Sequence, residues 1–382
     1  MDEKDLLDEL TKPIIKIYQE LEIELLKLVA ERFNTYELGI TGMLDYHLKK
    51  LQEMGVLNDK ALKIIARYSR KSEEEIRKML VEAGYTQFEM PSLIEAYSRG
   101  FIPIDPKVLY ESPNIKNIID NSFKELKETF KLINTKALES TKQAYMDVLN
   151  KAYIETSSGI YDYNTSIKRG LKRMANMGIT GATYKRGGKL VSYSIESVVR
   201  RDTLTAVHQL ANKTVYEGLP EIGADFVEVS SHLGARTHPV DKWSNHAGWQ
   251  GEVYKIEGST KEYKNLREET GYGDIKGLGG VNCRHKIRPF IPNVSKRLAK
   301  KIDPEENERL YKATQRQRYL ERQIRKYKKM LAVAESCQDD EMIEEAKATI
   351  KNISKELNRH TKEYGLKRDR NREMVLENID KK

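Results

Sequence analysis

Imidazoles and a thiol crowd one stretch of this chain. Four of its seven histidines, His232, His238, His246 and His285, lie between residues 232 and 285, and Cys283 stands two places before His285. Side chains of this kind at this density suit a structural zinc, with His238/His246 and Cys283/His285 as the near pairs. The spacing is not that of a standard zinc finger: no C-x₂₋₄-C half-site exists, and a single residue separates Cys283 from His285. A buried, hydrogen-bonded polar network accounts for the same residues, because buried polar groups need partners whether or not a metal is present. Catalysis is the third reading. Ser244-Asn245-His246 resembles a nuclease-type cluster, but Gly248 and Gly251 cut short any helix after His246. Cys283 and His285, at i and i+2, share a face only on an extended strand, so they make a poor nucleophile–base pair elsewhere. No catalytic residue is expected, and no cofactor beyond the candidate zinc.

Around these residues the chain is rich in glycine. The run GYGDIKGLGG (271–280) lacks the G-x-x-x-x-G-K-[ST] pattern of a phosphate loop. Its expected role is conformational: glycine tolerates positive φ and lets a tight loop carry Asn282 to His285 into a core. Trp243 and Trp249, the only tryptophans, are expected to anchor the same module.

These residues must be held by elements that the rest of the sequence outlines. Thr183 to Ser192 reads TYKRGGKLVS, a hairpin signal centred on Gly187-Gly188. Ser194 is a plausible N-cap for a helix over 195–217, closed by Gly218 and Pro220. Short strands are expected at 226–230 and 252–256. On the amino-terminal side, Leu7, Leu10, Ile14, Ile17, Leu21, Leu25 and Leu28 fall on one helical face over 5–33, with Pro13 as a kink or a start. Asn34 and Gly39 to Gly42 break that pattern. Ser72 and Glu75 form a capping-box signature, and Gly84 a C-cap. Residues 100–113 read as a linker, followed by helices over 114–155 and 163–176.

The carboxy-terminal segment is different again. Leu310, Ala313, Gln317, Leu320, Ile324, Tyr327, Leu331 and Ala334 step by threes and fours, as do Ile343, Ala346, Ile350, Ile353, Leu357, His360 and Tyr364. Two such seams joined by the short polar Cys337–Asp340 predict an antiparallel helical hairpin. The fold class is therefore mainly α with a small α+β module: a helical region over 1–178, a compact α+β module over 179–292 and a basic helical hairpin over 293–382.

Composition limits the class of protein. Of 382 residues, 33% are charged and 39% hydrophobic, as long helices with wet faces require. The net charge of +9 is uneven: residues 1–30 carry eight acids and four bases, whereas 292–382 carry 24 bases and 17 acids. A basic tail meets DNA or an acidic protein, or is simply a solvated helical face. Two distant cysteines imply no disulfide framework and a reducing cytoplasm as the place of synthesis. The acidic start lacks the apolar core of a signal peptide. No apolar run approaches the ~20 residues of a membrane helix, so no membrane partner is expected.

One resemblance unites the histidine-rich blocks. Ser231-His232-x-Gly234-Ala235-Arg236, Trp249-Gln250-Gly251, Gly271-Tyr272-Gly273, Gly277-Leu278-x-Gly280-x-Asn282-Cys283-Arg284-His285 and Pro289-Phe290-x-Pro292 occur in that order. Together they resemble the signature of phage minor capsid protein 2, a family of phages of Gram-positive hosts. That family is similar to the wider Mu F-like head-morphogenesis group. Some members carry a cysteine where this chain has Gly279. The resemblance implies a non-enzymatic structural protein of a tailed-phage head, made in the bacterial cytoplasm. It would sit in the capsid interior or at the portal vertex, in multiple copies. Portal and major capsid proteins are the implied partners, with packaged DNA as a possible contact. The alternative is a DNA-interacting enzyme or effector packaged with the genome. An enzyme of that kind would place His232, His246 and Cys283 around an open polar cleft.

Overall fold

Residues with apolar steps of three and four wind into helices. The computed structural model describes residues 3–34, 43–88 and 90–375, which hold ten α-helices and six short strands. The protein is mainly α with a small α+β part. Its chain divides into two compact units. The first draws on Met1–Lys12, Glu74–Glu128 and Arg201–Gln315; the second on Pro13–Glu73, Thr129–Arg200 and Arg316–Lys382.

Helix α1 (Glu3–Asn34) runs through Pro13 without restarting. Helix α2 (Met43–Tyr85) passes through Ser72 in the same way. The capping box expected there is not used: the buried Ser72 hydroxyl donates back to the Ser69 carbonyl at 2.8 Å. The buried positions Leu57, Ala61, Ile65, Tyr68, Ser72, Ile76, Met79 and Ala83 form one unbroken stripe, so burial outweighs the local cap. The expected break at Gly39 to Gly42 lies outside the described residues.

In the second unit, α4 (Pro113–Ser157) contributes Phe130 edge-on to Tyr18, and Tyr145 stacked on Phe33. Asp162 caps α5 (Tyr163–Met177) through the Thr165 amide. Strands β1 (Thr180–Arg186) and β2 (Lys189–Ser194) pair antiparallel through Gly187 and Gly188, both with positive φ, as the hairpin signal requires. Helix α6 (Ile195–Gly218) follows directly.

The last two helices, α9 (Pro304–Ser336) and α10 (Asp340–Glu363), form the expected hairpin. Leu320, Ile324 and Leu357 make its core, and Ile353 packs against them. Asp339 caps α10 through the Met342 amide. Helix α9 nevertheless departs from a simple seam. Glu321, Arg325 and Lys329, one turn apart, are buried as well. Arg325 Nε meets the Glu196 carboxylate at 2.9 Å, and Arg200 meets its other oxygen at 2.8 Å. Lys329 Nζ meets Glu22 at 2.7 Å, and Glu22 is fully buried on α1. The reading of the tail as a wet face therefore holds for Lys312, Arg322 and Lys351, which are exposed, but not for Arg325 and Lys329.

In the first unit, α3 (Pro91–Ser98) precedes the expected irregular stretch, which contains one 3₁₀ turn at Pro106–Tyr110. Its sheet has the order β5-β4-β3-β6. Strand β3 (Phe226–Val229) is central. It pairs antiparallel with β4 (Val253–Lys255) and β6 (Ile287–Pro289), while β5 (Lys264–Asn265) runs parallel to β4. Helices α7 (His246–Trp249) and α8 (Leu266–Thr270) are single turns in the connections. Among the described residues no helix is long and apolar enough to cross a membrane.

Candidate functional site

Three of the five predicted ligands converge. His246 opens α7, while Cys283 and His285 lie on the extended run that leads into β6. Cys283 and His285, two places apart, turn their side chains to the same side, with Sγ 3.7 Å from Nδ1. One ligand atom from each of the three lies within 4.8 Å of the others. His246, Cys283 and His285 are only 3, 2 and 1% exposed. His232 is half-buried beside them, its ring 4.3 Å from that of His285 between centroids. His238 stands apart. It is exposed, and its Nδ1 accepts the Val240 and Asp241 amides at 3.3 and 2.8 Å, which makes it part of a turn and removes it from the cluster.

Hydrogen bonds fix the tautomers. His246 Nε2 donates to the Lys276 carbonyl at 2.8 Å, because a carbonyl can only accept. His285 Nε2 lies 3.0 Å from Gln250 Oε1, and the His232 amide donates to that same oxygen at 3.0 Å. An atom that accepts from a backbone N–H is the amide oxygen, so His285 Nε2 is also a donor. Both rings then carry their lone pair on Nδ1. The Cys283 thiol lies 3.7 Å from His285 Nδ1. Burial pulls His246 down to about 4, against the opposing Lys276 bond, and pushes the Cys283 thiol up. Trp249 roofs the group, with its ring 4.6 Å from His246 and 4.9 Å from His285.

The glycine run spends its amides on itself. Asp274, Gly277, Leu278, Gly280, Val281 and Cys283 all donate to carbonyls between Thr270 and Gly280. A phosphate cradle needs free amides, so the run is a folded loop. A Cβ at Gly277 would come 2.2 Å from the Gly271 carbonyl oxygen, which no larger residue can accommodate. One detail of the expectation fails. Asn282 does not enter the core: it is exposed, with φ 61°, because the turn before Cys283 needs a left-handed residue and asparagine tolerates that conformation.

The remaining signature residues hold this arch in place. Gly234 and Gly251 both have positive φ. Ala235 exchanges two backbone bonds with the Asn307 side chain, at 2.9 and 3.0 Å. Arg236 donates to the Val281 carbonyl at 3.1 Å. Trp249 Nε1 reaches the Trp243 carbonyl, and Trp243 Nε1 reaches Glu268. Pro289 is buried in β6 opposite Val227, and Arg284 pairs with Asp8. A concavity of the same unit, lined by Met90, Glu95, Glu228, Phe290, Ser295 and Leu298, includes none of the clustered residues.

A match to the family model for phage minor capsid protein 2 extends from residue 3 to residue 362. The chain belongs to that family. A structural protein of Lactococcus phage LL-H is 24% identical over 327 residues, covering 82% of this chain and 83% of its own length. A structural protein of Lactococcus phage mv4 is 40% identical over 65 residues, 17% of this chain and 53% of that protein. No solved structure matches. In this chain the folded arch buries a Cys/His group.

Sequence reasoning missed the asparagines that pin this arch. Asn212, fully buried on α6, donates to the His285 carbonyl at 3.1 Å and accepts from the Ile287 amide at 2.9 Å. The available signal was its place on the apolar stripe Leu204–His208–Ala211–Val215. Replacing Asn212 with alanine orphans two buried backbone groups and should cost about 2–3 kcal/mol. Tryptophan fluorescence during urea unfolding reads this directly, because both tryptophans lie in the module. A loss under ~0.5 kcal/mol would show that Asn212 does not pin the arch.

Proposed function

We propose that this minor capsid protein is a structural component of the virion that acts in head assembly beside the portal, in several copies per particle. The match of the family model across 3–362 is the observation that carries this reading. The enclosure of His246, Cys283 and His285 supports a structural role over a catalytic one, since a reacting group needs access to substrate. Partner surface is available: Ile94, Tyr97, Phe101, Ile104 and Val108 stay exposed within a short stretch of the first unit. Any contact with packaged DNA falls to exposed tail bases such as Arg322 and Lys351, because Arg325, Lys329 and Arg368 are committed to acids.

The test is co-expression of the tagged full chain with the portal, major capsid and tail proteins of the same genome. Retention of portal protein through salt washes is the expected result. Retention of tail proteins alone, or of none, would overturn the assignment.

A further inference from the structure

We propose that His246, Cys283 and His285 bind a zinc ion through His246 Nδ1, Cys283 Sγ and His285 Nδ1. Four observations converge on it. One donor atom of each of the three side chains lies within 4.8 Å of the others. The Cys283 Sγ to His285 Nδ1 separation of 3.7 Å is close to the ~3.5 Å edge of a tetrahedron built from Zn–S of ~2.3 Å and Zn–N of ~2.0 Å. Each imidazole has its Nε2 hydrogen held by an oxygen, from the Lys276 carbonyl and from Gln250. That outer contact fixes ring orientation and leaves Nδ1 as the donor nitrogen, which is how metal-binding histidines are held. Finally, one soft sulfur and two imidazoles form a donor set for zinc rather than for calcium or magnesium, which favour oxygen.

A hydrogen-bonded network alone explains burial, but it does not call for two imidazoles held in the same tautomer beside one thiol. The three ligands join α7 to the run entering β6, so the metal would tie the two ends of the arch. The fourth position falls to water or to His232, whose ring lies against that of His285. Binding converts the Cys283 thiol to thiolate and releases its proton to solvent.

The experiment uses the untagged full chain, purified without added metal, then stripped and titrated with cobalt(II) as a spectroscopic stand-in for zinc. The expected results are close to one zinc per chain as isolated, a near-ultraviolet thiolate-to-cobalt charge-transfer band and strong visible bands of a four-coordinate site. Cys283→Ser should abolish the charge-transfer band, whereas His238→Ala should leave it unchanged. Should Cys283→Ser not fold, the wild-type cobalt spectrum still decides. A stripped wild-type protein that gives no sulfur charge-transfer band with cobalt overturns the site, as does a band that survives in folded Cys283→Ser.

Discussion

Arg325→Ala is expected to destabilise the second unit by about 3–5 kcal/mol, the cost of removing one partner of a buried ion pair. Arg325 is buried on α9, and its Nε lies 2.9 Å from the equally buried Glu196. It also donates to the Arg372 carbonyl, and Arg372 faces Glu321 at 3.6 Å. Alanine would leave Glu196 with Arg200 as its arginine partner and would remove the donor to the Arg372 carbonyl. Burial pushes the Glu196 carboxyl upward, but Arg325, Arg200 and Lys329 overcome this and hold it below its ordinary value. A depressed carboxylate contributes stability that is present above the unfolded value and lost as pH falls below it. The wild type should therefore weaken below about pH 4.5. Glu321 acts with the opposite sign, because burial raises it. Denaturant unfolding followed by circular dichroism at neutral and acid pH checks both points. Arg325→Ala should lower the midpoint at neutral pH and flatten the acid dependence. An unchanged midpoint contradicts the network.

Gly178→Ala is expected to be of similar size. Gly178 closes α5 with φ 72°, where a side chain costs about 1–2 kcal/mol. A Cβ there would also stand 2.3 Å from Glu22 Oε1. That carboxylate accepts from Lys329, from the Ile179 amide and from the Glu196 amide in the first turn of α6. Displacing it uncouples three elements and brings the total to about 3–5 kcal/mol. Because Gly178→Ala and Arg325→Ala damage one network, their combined cost should fall short of the sum. Strict additivity in thermal melts would show that the two sites are independent.

The helices were legible because burial follows their period: the 5–33 stripe, the 114–155 helix and the terminal hairpin all appear within a few residues of their expected ends. The β1–β2 turn was legible because two adjacent glycines between alternating arms have few other uses. What stayed hidden is long-range. Glu22 and Lys329 are separated by most of the chain, and nothing local distinguishes them from solvated neighbours. The divisions between the two units fall within helices, where composition does not change. Ser72 misled because a capping residue on a buried stripe bonds backward within its own helix. At the candidate site, residue type brought together His246, Cys283 and His285. Spacing alone could not separate them from His238, because a loop's path decides which imidazole turns inward.

We propose that this protein is built into the phage head. Purified particles split into DNA-filled heads and free tails test it by quantitative mass spectrometry of each fraction. The chain is expected in the head fraction, in several copies for each portal ring. A chain confined to tails, or left in the host lysate and absent from particles, would contradict it.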